Sequence, residues 1–348
     1  MAKKIIAQKV IVVGGGIVGC LTALALRDKG CDVTLVERNV VAAQTSGESS
    51  WAGAGILFPL LPWLYKDAVN QLAMAGATLY PALCERLLTV TGIDPEYTKS
   101  GMQIKPPFDE TAAINWCENY QTPIQQNANG LFLPSVAQVR PPNLLQALRA
   151  ILIQNSVTLL ENTQLEPLKN VKKITGWRTN SGAVLAADAF VVTSGAWSFD
   201  LLKETAAGLD IKPMRGQILL FDTAKIKKSE IPKNSLKHIV YQNGFYLVPR
   251  RDGLLLAGST LEDVGFNTNT TKSMRQQLQI KAEQILPSLK HASAIKHWCG
   301  LRPGTPDNLP TIAQHPTIKN LYLNTGHFRY GLTMAPASAQ RVAKLVCT

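Results

Sequence analysis

The sequence predicts an α/β fold in which a parallel sheet with flanking helices is interleaved with an antiparallel, α+β part. Residues 10–37 follow a strand–helix–strand pattern around a glycine-rich turn, which is typical of a parallel βαβ unit. Residues 239–257 instead contain three short apolar segments separated by Asn243-Gly244 and Asp252-Gly253, and these dipeptides favour hairpin turns. The chain has 348 residues, more than one hydrophobic core normally holds, so two domains are expected.

The N-terminal elements follow from hydrophobic periodicity. Residues 10–13 are all apolar and β-branched, as in a strand buried on both faces, residues 17–29 have helical spacing, and residues 32–37 alternate like a second strand. Residues 66–91 also have helical spacing, but Gly76 and Pro81 interrupt it. We therefore expect two helices in that segment.

Later segments predict the remaining elements in chain order. Residues 143–154, behind two prolines, and residues 336–346 have helical patterns, the second with Pro336 near its first turn. Strands and one hairpin are expected at 158–160, 180–182 (the hairpin), 189–193, 239–241, 245–248, 254–257 and 321–324. The parallel-sheet domain is assigned to residues 1–80, 140–215 and 300–348, and the antiparallel-sheet domain to residues 81–139 and 216–299.

The composition is that of an ordinary globular protein, with 46% hydrophobic and 17% charged residues. The formal net charge of +12 raises the question of a nucleic-acid or anionic-membrane partner. Two stretches approach lysine clusters, but neither contains interleaved aromatics or a nucleic-acid motif: Lys169, Lys172 and Lys173, and Lys225, Lys227, Lys228, Lys233 and Lys237. The sequence therefore favours solvated surface loops over a nucleic-acid interface.

The cysteines predict neither a metal site nor a disulfide framework. They lack a Cys-x-x-Cys pair and zinc-like histidine spacing, and they are Cys20, Cys31, Cys84, Cys117, Cys299 and Cys347. The apolar run after Lys3 ends at Gly14 without a cleavage site, so no signal peptide is expected. No uncharged apolar run of about 18 residues follows that could cross a bilayer. We therefore expect reduced thiols and a cytoplasmic protein.

A glycine-rich loop, Gly14-Gly15-Gly16-Ile17-Val18-Gly19, connects the first strand to the first helix. In this context the pattern indicates a Rossmann-like dinucleotide site, in which Gly14 makes the tight turn, Gly16 lets the backbone approach a pyrophosphate and Gly19 allows close helix packing. Glu37 ends the second strand, where a carboxylate accepts hydrogen bonds from the ribose hydroxyls of an adenosine and repels a 2′-phosphate. The motif alone does not distinguish FAD from NAD.

Five downstream strings carry a family resemblance that spans nearly the whole chain. In order they are Glu48-Ser49-Ser50-Trp51-Ala52-Gly53-Ala54-Gly55, Thr193-Ser194-Gly195-Ala196-Trp197, Pro213-Met214-Arg215-Gly216-Gln217, Gly300-Leu301-Arg302-Pro303-Gly304-Thr305-Pro306-Asp307 and Gly326-His327-Phe328-Arg329-Tyr330-Gly331. Together they resemble the glycine oxidase branch of the FAD-dependent D-amino acid oxidase family. The resemblance implies a Rossmann-like FAD-binding domain interleaved with an antiparallel-sheet substrate domain. Related sarcosine oxidases bind flavin through a cysteine in the neighbourhood of Cys299, but its offset differs, so non-covalent FAD is predicted.

The same resemblance implies which residues contact the cofactor. Small residues between 45 and 55 would let backbone N–H groups face a phosphate and the flavin edge, and the closing helix would direct its positive end at the flavin pyrimidine. The implied FAD contacts are Gly14, Gly16, Ile17, Val18, Gly19, Glu37, Arg38, Thr45, Ser46, Ser50, Trp51, Ala52, Gly53, Leu165, Ser194, Gly195, His327, Phe328, Arg329, Tyr330, Gly331, Leu332 and Thr333.

The substrate residues are implied in the same way. A guanidinium is the matching bidentate donor for a carboxylate, and the resemblance gives that role to Arg302, with the Tyr246 hydroxyl beside it. Arg329 is expected to border the pocket, and Leu261 is expected to form an apolar wall that limits side-chain size. Hydride leaves the α-carbon of a neutral amine, so no catalytic general base is predicted.

The implied activity is oxidative deamination of glycine or another small amino acid. Molecular oxygen is the acceptor, and the products are an oxo acid, ammonia and hydrogen peroxide, although in this family the imine can instead feed thiamine thiazole synthesis. Three alternatives stay open: a D-amino acid dehydrogenase with a quinone acceptor, a tRNA-modifying flavoprotein oxidase suggested by the basic charge, and a nucleotide-binding protein without catalysis. A homo-oligomer also stays open.

Overall fold

The computed structural model describes residues 7–45, 47–226 and 237–348, so Ser46 and three lysines of the second basic stretch (Lys227, Lys228 and Lys233) lie outside the described residues. The α-helices are α1 Ile17–Asp28, α2 Ser49–Ala52, α3 Asp67–Thr91, α4 Glu110–Asn119, α5 Pro141–Gln154, α6 Ser198–Leu202, α7 Lys272–Ile285 and α8 Gly331–Val346. The strands are β1 Lys9–Val13, β2 Asp32–Val36, β3 Met102–Ile104, β4 Gln125–Asn127, β5 Gly130–Leu133, β6 Thr158–Leu160, β7 Trp177–Arg178, β8 Val184–Leu185, β9 Ala189–Val192, β10 Lys212–Asp222, β11 Ile239–Gln242, β12 Phe245–Pro249, β13 Leu254–Gly258, β14 Glu262–Asp263, β15 Lys296–Gly304, β16 Thr311–Gln314 and β17 Leu321–Thr325.

The first sheet has six strands in the order β16-β17-β9-β1-β2-β6, all parallel except the edge strand β16. Its central strand β1 is buried on both faces, because Val10 and Val12 join a core with α1, α5 and α8 while Ile11 and Val13 join a core on the opposite face. This two-sided burial is the reason for the uninterrupted apolar run. The predicted parallel sheet is confirmed.

The second sheet has nine strands, in the order β14-β10-β13-β12-β11-β3-β5-β4 with β15 paired to β10. The predicted hairpin strands β11, β12 and β13 pair antiparallel as expected. One pair, β11 with β3, is parallel, because these strands are joined by a long stretch of intervening chain and not by a hairpin. The longest ladder pairs β10 with β15 from Lys212 opposite Gly304 to Leu220 opposite Lys296.

The prediction of two helices over residues 66–91 is wrong, because α3 is continuous over 25 residues. Gly76 does not break it. A side chain at Gly76 would overlap with the backbone of Thr333, so this glycine allows α3 to pack closely against α8. Pro81 lies on the exposed side of the helix, where its ring meets solvent and its cost is one backbone hydrogen bond.

The closing helix also differs from its prediction, because α8 begins at Gly331 and Pro336 therefore lies in its interior. Pro336 has no N–H to donate to the carbonyl of Leu332, four residues earlier. The hydroxyl of Tyr80, on α3, donates to that same carbonyl at 2.6 Å. A side chain from the neighbouring helix thus replaces the missing backbone donor, and the helix continues through the proline.

The other predicted elements agree with the structure in type and differ by a few residues at their ends. The helix predicted at residues 143–154 begins at Pro141, with its two prolines in the first turn, and the hairpin expected around residues 180–182 is the β7–β8 pair. Within the described ranges, no helix is both long and apolar enough to cross a membrane.

Candidate active site

A cavity of about 340 Å³ lies where the central parallel strands end. Val13, Val36 and Thr193, at the carboxyl ends of β1, β2 and β9, line it, and Arg302 on β15 brings the second sheet to its wall. The carboxyl edge of an open parallel sheet is where such folds bind ligands. The cavity is therefore the candidate site.

The glycine loop forms one wall, and each of its three motif glycines is constrained differently. Gly14 has φ +107°, and a Cβ there would come within 2.8 Å of the Ser194 backbone. A Cβ at Gly16 would lie 2.9 Å from the Ser50 hydroxyl, inside the cavity wall. A Cβ at Gly19 would overlap with the Gly14 carbonyl, so Gly19 permits the helix to pack on the loop. These roles match the reasons given for the motif.

Two polar side chains hold the loop in place. The Glu37 carboxylate accepts the Gly15 N–H at 2.7 Å and the Asn39 N–H at 2.9 Å, while burial raises the pKa of Glu37 and these amides oppose that rise. The Ser50 hydroxyl accepts the Ile17 N–H at 3.0 Å and so caps α1. Each oxygen of the Glu37 carboxylate can still accept a further hydrogen bond, and the two amides fix the carboxylate at the cavity wall.

An aromatic stack closes another part of the wall, and the sequence did not reveal it. The Arg38 guanidinium lies 3.6 Å from the ring centroid of Trp197, and the Phe266 ring stacks on Trp197 with centroids 5.4 Å apart. Arg38 follows the parallel sheet, whereas Phe266 belongs to the loop after β14. We refer to Arg38, Trp197 and Phe266 as the aromatic stack; it connects the two sheets beside the cavity.

The C-terminal wall contains buried polar atoms without partners. His327 Nε2 and Asn324 Oδ1 are both buried, have no hydrogen-bond partner in the described structure, and belong to residues that line the cavity. Burial lowers the pKa of His327 to about 3, so its imidazole is neutral at pH 7. Buried polar atoms are normally paired, so two unpaired atoms on residues that line one cavity favour a polar ligand at this wall.

Arg302 provides a cationic group on the side of the cavity that the nine-stranded sheet forms. Its guanidinium donates to the Ser259 hydroxyl at 2.8 Å and to the Thr260 carbonyl at 3.1 Å. Burial lowers the pKa of Arg302, the adjacent Tyr246 opposes this effect, and Arg329 adds to it. Neither arginine forms an ion pair with any described carboxylate. A partly desolvated guanidinium without a carboxylate partner is a receptor for an anion.

The surroundings of Arg302 fix its position. A Cβ at Gly216, on the neighbouring strand β10, would overlap with the guanidinium, so only glycine leaves room for it. Thr260 accepts from Arg302 with its main-chain carbonyl, and its side-chain hydroxyl donates to Glu262 at 2.5 Å. Glu262 in turn pairs with Arg215 at 2.6 Å. The sequence drew attention to the string around Gly216 but gave no role to Glu262.

The cavity brings together most of the residues predicted as a site. Those that line it are Gly14, Gly16, Ile17, Val18, Glu37, Arg38, Ser50, Gly53, Leu165, Ser194, Gly195, Arg302, His327, Phe328, Arg329, Gly331 and Leu332. Sequence reasoning did not identify several further lining residues, which include Thr163, Gln164, Pro167, Trp197, Asp200 and Leu201. Trp197 ends one of the strings that carry the family resemblance but received no role, whereas the others follow β6 or lie in α6, where no sequence motif marks them as site residues.

Other predicted residues lie outside the cavity lining. The Tyr330 hydroxyl donates to the Leu60 carbonyl at 3.2 Å and the Thr333 hydroxyl to the Ile56 carbonyl at 3.1 Å, so both support the segment behind the wall. Trp51 stacks on Trp298 and donates to the Thr45 carbonyl at 2.5 Å, and the Ala52 carbonyl accepts from Trp298. Gly19 packs against the Gly14 carbonyl.

Tyr246, Leu261 and Cys299 also lie outside the cavity lining. Tyr246 is buried beside Arg302, whereas Leu261 is 43% exposed and does not line the cavity. Cys299 is buried in β15, where its thiol donates to the Thr268 carbonyl at 3.0 Å, and it is likewise absent from the lining.

The two-sheet fold and the glycine loop at the carboxyl edge define a dinucleotide-binding protein of the α/β class. Residues 9–345 match the family model described as FAD dependent oxidoreductase, and the chain belongs to this family. It is 38% identical to a glycine oxidase of Pseudomonas putida, over 98% of this chain and 94% of that protein. It is 30% identical to the bifunctional protein ThiO/ThiG of Trichormus variabilis, over 97% of this chain but 52% of that protein. The crystal structure of glycine oxidase from Geobacillus kaustophilus superposes with a TM-score of 0.85 at 25% identity, covering 98% of this chain and 95% of that one.

The cavity fits the FAD that this family uses. The glycine loop leaves a space that a Cβ at Gly16 would enter, and the fixed Glu37 carboxylate stands at the end of β2. His327 Nε2 and Asn324 Oδ1 have no partner among the described residues. These groups can hold a dinucleotide from several sides at once. The predicted glycine oxidase resemblance and the FAD cofactor are confirmed.

Proposed function

We propose that this chain is a glycine oxidase, an FAD-dependent enzyme that deaminates glycine or another small amino acid to an oxo acid, ammonia and hydrogen peroxide. The observation that carries the proposal is the Arg302 guanidinium, a half-buried cation that pairs with no carboxylate in the described part of the chain and shares one cavity with the glycine loop. The glycine oxidase of Pseudomonas putida described above supports the same substrate class. For glycine the oxo acid is glyoxylate.

The residues of this chain act mainly by positioning. Glycine offers little to bind except its carboxylate, and Arg302 with the Tyr246 hydroxyl supplies donors for it. Arg329 adds a second positive charge near the same position. FAD, when bound, supplies the acceptor for the hydride of the α-carbon. His327 stays neutral, so it can hydrogen bond in the cavity without adding charge.

The six-stranded sheet is proposed as the FAD-binding domain and the nine-stranded sheet as the substrate-binding domain, with the domain limits given above. FAD is proposed to be held without a covalent bond, since the Cys299 thiol donates to Thr268 and lies outside the cavity lining. We also propose that the enzyme works in the cytoplasm, with molecular oxygen as the acceptor.

An anaerobic titration tests the proposal. The purified, FAD-loaded protein is titrated with glycine, sarcosine, D-alanine and D-proline while the flavin absorbance is followed. Glycine is expected to bleach the flavin, and readmitted oxygen is expected to restore the colour with one hydrogen peroxide per glyoxylate. A protein that no amine bleaches would reject the enzyme. Bleaching with recovery by a quinone but not by oxygen would identify a dehydrogenase instead.

A second candidate role is the supply of the imine to a thiazole synthase. It is favoured by the relative from Trichormus variabilis, in which a chain like this one occupies about half of a bifunctional protein. Joining two activities in one chain shortens the path of an intermediate that water would hydrolyse. Addition of a purified thiazole synthase with its sulfur donor and the co-substrate that supplies the remaining ring carbons is expected to lower the glyoxylate yield at unchanged peroxide yield. An unchanged ratio of glyoxylate to peroxide would reject this role.

A further inference from the structure

Two cysteines from opposite ends of the chain face each other. The sulfur atoms of Cys31 and Cys347 lie 3.6 Å apart, although 316 positions separate the residues. Cys31 immediately precedes β2 and is 3% exposed, whereas Cys347 follows α8 and is exposed. The pair therefore combines a buried thiol with one that solvent reaches.

The two sides of the pair differ in how firmly they are held. Cys31 is fixed by its N–H bond to the Leu26 carbonyl at 3.1 Å and by Arg27, which donates to the Cys31 carbonyl at 3.0 Å. Cys347 is the C-cap residue of α8, where its N–H donates to the Ala343 carbonyl at 3.2 Å. A disulfide needs its sulfurs about 2.05 Å apart. The exposed Cys347 side chain, at the end of α8, can close this gap without moving the sheet.

We propose that Cys31 and Cys347 are a modification site, at which hydrogen peroxide converts the two thiols to a disulfide. Only the source of the oxidant rests on the proposed function, because peroxide is the product of the proposed reaction. The exposed thiol is the one that peroxide reaches first, and burial raises the pKa of Cys31 to about 12.

The reaction is balanced as two steps. The Cys347 thiolate attacks one peroxide oxygen, the O–O bond breaks, and the departing hydroxide takes a proton to form water, which leaves Cys347 as a sulfenic acid. The Cys31 sulfur then attacks the Cys347 sulfur, the S–O bond breaks, and the hydroxyl leaves with the Cys31 proton as a second water. Two thiols are oxidised by two electrons, and one peroxide is reduced to two waters.

The bond would join two elements whose other ends both reach the cavity. The helix α8 begins at Gly331, which lines the cavity, and ends beside Cys347, while β2 begins after Cys31 and leads to Glu37 at the cavity wall. A link between such distant positions restricts the unfolded chain strongly. The oxidised protein is therefore expected to unfold at a higher temperature and to lose FAD more slowly on heating.

The test uses the full chain loaded with FAD and treated with hydrogen peroxide alone, so that its outcome does not depend on amine oxidation. The expected results are a loss of two thiols per chain, a Cys31–Cys347 linked peptide in a non-reducing digest, and a rise in Tm of about 5 °C that dithiothreitol reverses. C347S and C31S should both lack the linked peptide and the rise in Tm. C117S, which changes a buried cysteine on α4, should retain both.

Several results would overturn the proposal. Oxidation of Cys347 to a sulfinic acid while Cys31 stays a thiol would show that the pair does not close. A Cys347 disulfide between two chains on a non-reducing gel would exclude the internal bond. A linked peptide without any change in Tm would reject the stabilising effect. A separate arm with glycine and oxygen, with and without catalase, asks whether turnover itself supplies the oxidant.

Discussion

Gly216→Ala should weaken the carboxylate site without replacing any residue that the substrate contacts. A Cβ at this position overlaps with the Arg302 guanidinium, and ordinary contact begins only at 3.4 Å, so the guanidinium has to withdraw. The overlapping atoms are the end of a flexible side chain, and the fold should survive. A displacement of roughly 1 Å at a positioning group costs about 100-fold in rate, which equals about 2.7 kcal/mol in kcat/KM for glycine.

The assay is peroxide release at varied glycine, together with flavin content and Tm for each variant. The structure predicts a larger rise in KM than fall in kcat, with FAD content unchanged. The decisive comparison is a double-mutant cycle with Arg302→Ala, which alone should cost about 2 to 5 kcal/mol because it removes the partner of a bound charge. If Gly216 acts through Arg302, the second substitution adds little to the first. Additive losses, or a Gly216→Ala enzyme with normal kcat/KM, would refute this reasoning.

Three further variants test other parts of the site. Gly16→Val should prevent FAD loading, because its side chain enters the cradle and meets the Ser50 hydroxyl; a yellow, flavin-replete protein would contradict this. The pKa of His327 is about 3 in the folded chain and 6.5 ordinarily, so the stability it confers is present above pH 6.5 and is lost as pH falls towards 3. Urea unfolding of the flavin-free protein should therefore show a loss of about 2 kcal/mol in unfolding free energy between pH 8 and pH 5 from this residue, a loss that His327→Gln removes. Phe266→Ala removes the outer ring of the aromatic stack and should raise the Kd for FAD about 3- to 10-fold, whereas Phe199→Ala, with 43% exposure against 41% for Phe266, should leave the Kd unchanged.

The parallel sheet and the glycine loop were predictable because their causes are local. A β-branched run, a glycine turn and a helical stripe are all read within residues 10–37, and the same elements appear in the structure. The predictions for α3 and α8 were wrong because the causes there are not local. Gly76 and Pro336 are tolerated only because α3 and α8 touch, through the Thr333 backbone and the Tyr80 hydroxyl. The sequence of either helix alone does not indicate that the two helices are in contact.

The candidate site likewise contains residues that sequence motifs indicate and residues that only tertiary contacts bring together. Gly16 and Glu37 belong to the glycine-rich dinucleotide motif, Arg302 stands in a string that carries the family resemblance, and all three line the cavity. The aromatic stack joins Trp197 to Phe266, nearly 70 positions later, and depends on how a loop of one sheet folds back over the other. Leu261 was expected at the pocket wall but is 43% exposed, since sequence similarity gives the position of a residue and not the direction of its side chain.

Gly216 and Gly300 face each other across the ladder of β10 and β15. A side chain on Gly216 would strike Arg302, and one on Gly300 would strike Ala52 and Ser49 in α2. Paired residues of adjacent strands project to the same side of a sheet. The two glycines therefore leave room on one side of the sheet for the Arg302 guanidinium and for α2, which lies beside the glycine loop. The paired strands β10 and β15 thus fix the distance between Arg302 and α2. We therefore expect differences in pocket size to come from the loops that border the cavity, because the two strands fix the distance from Arg302 to α2.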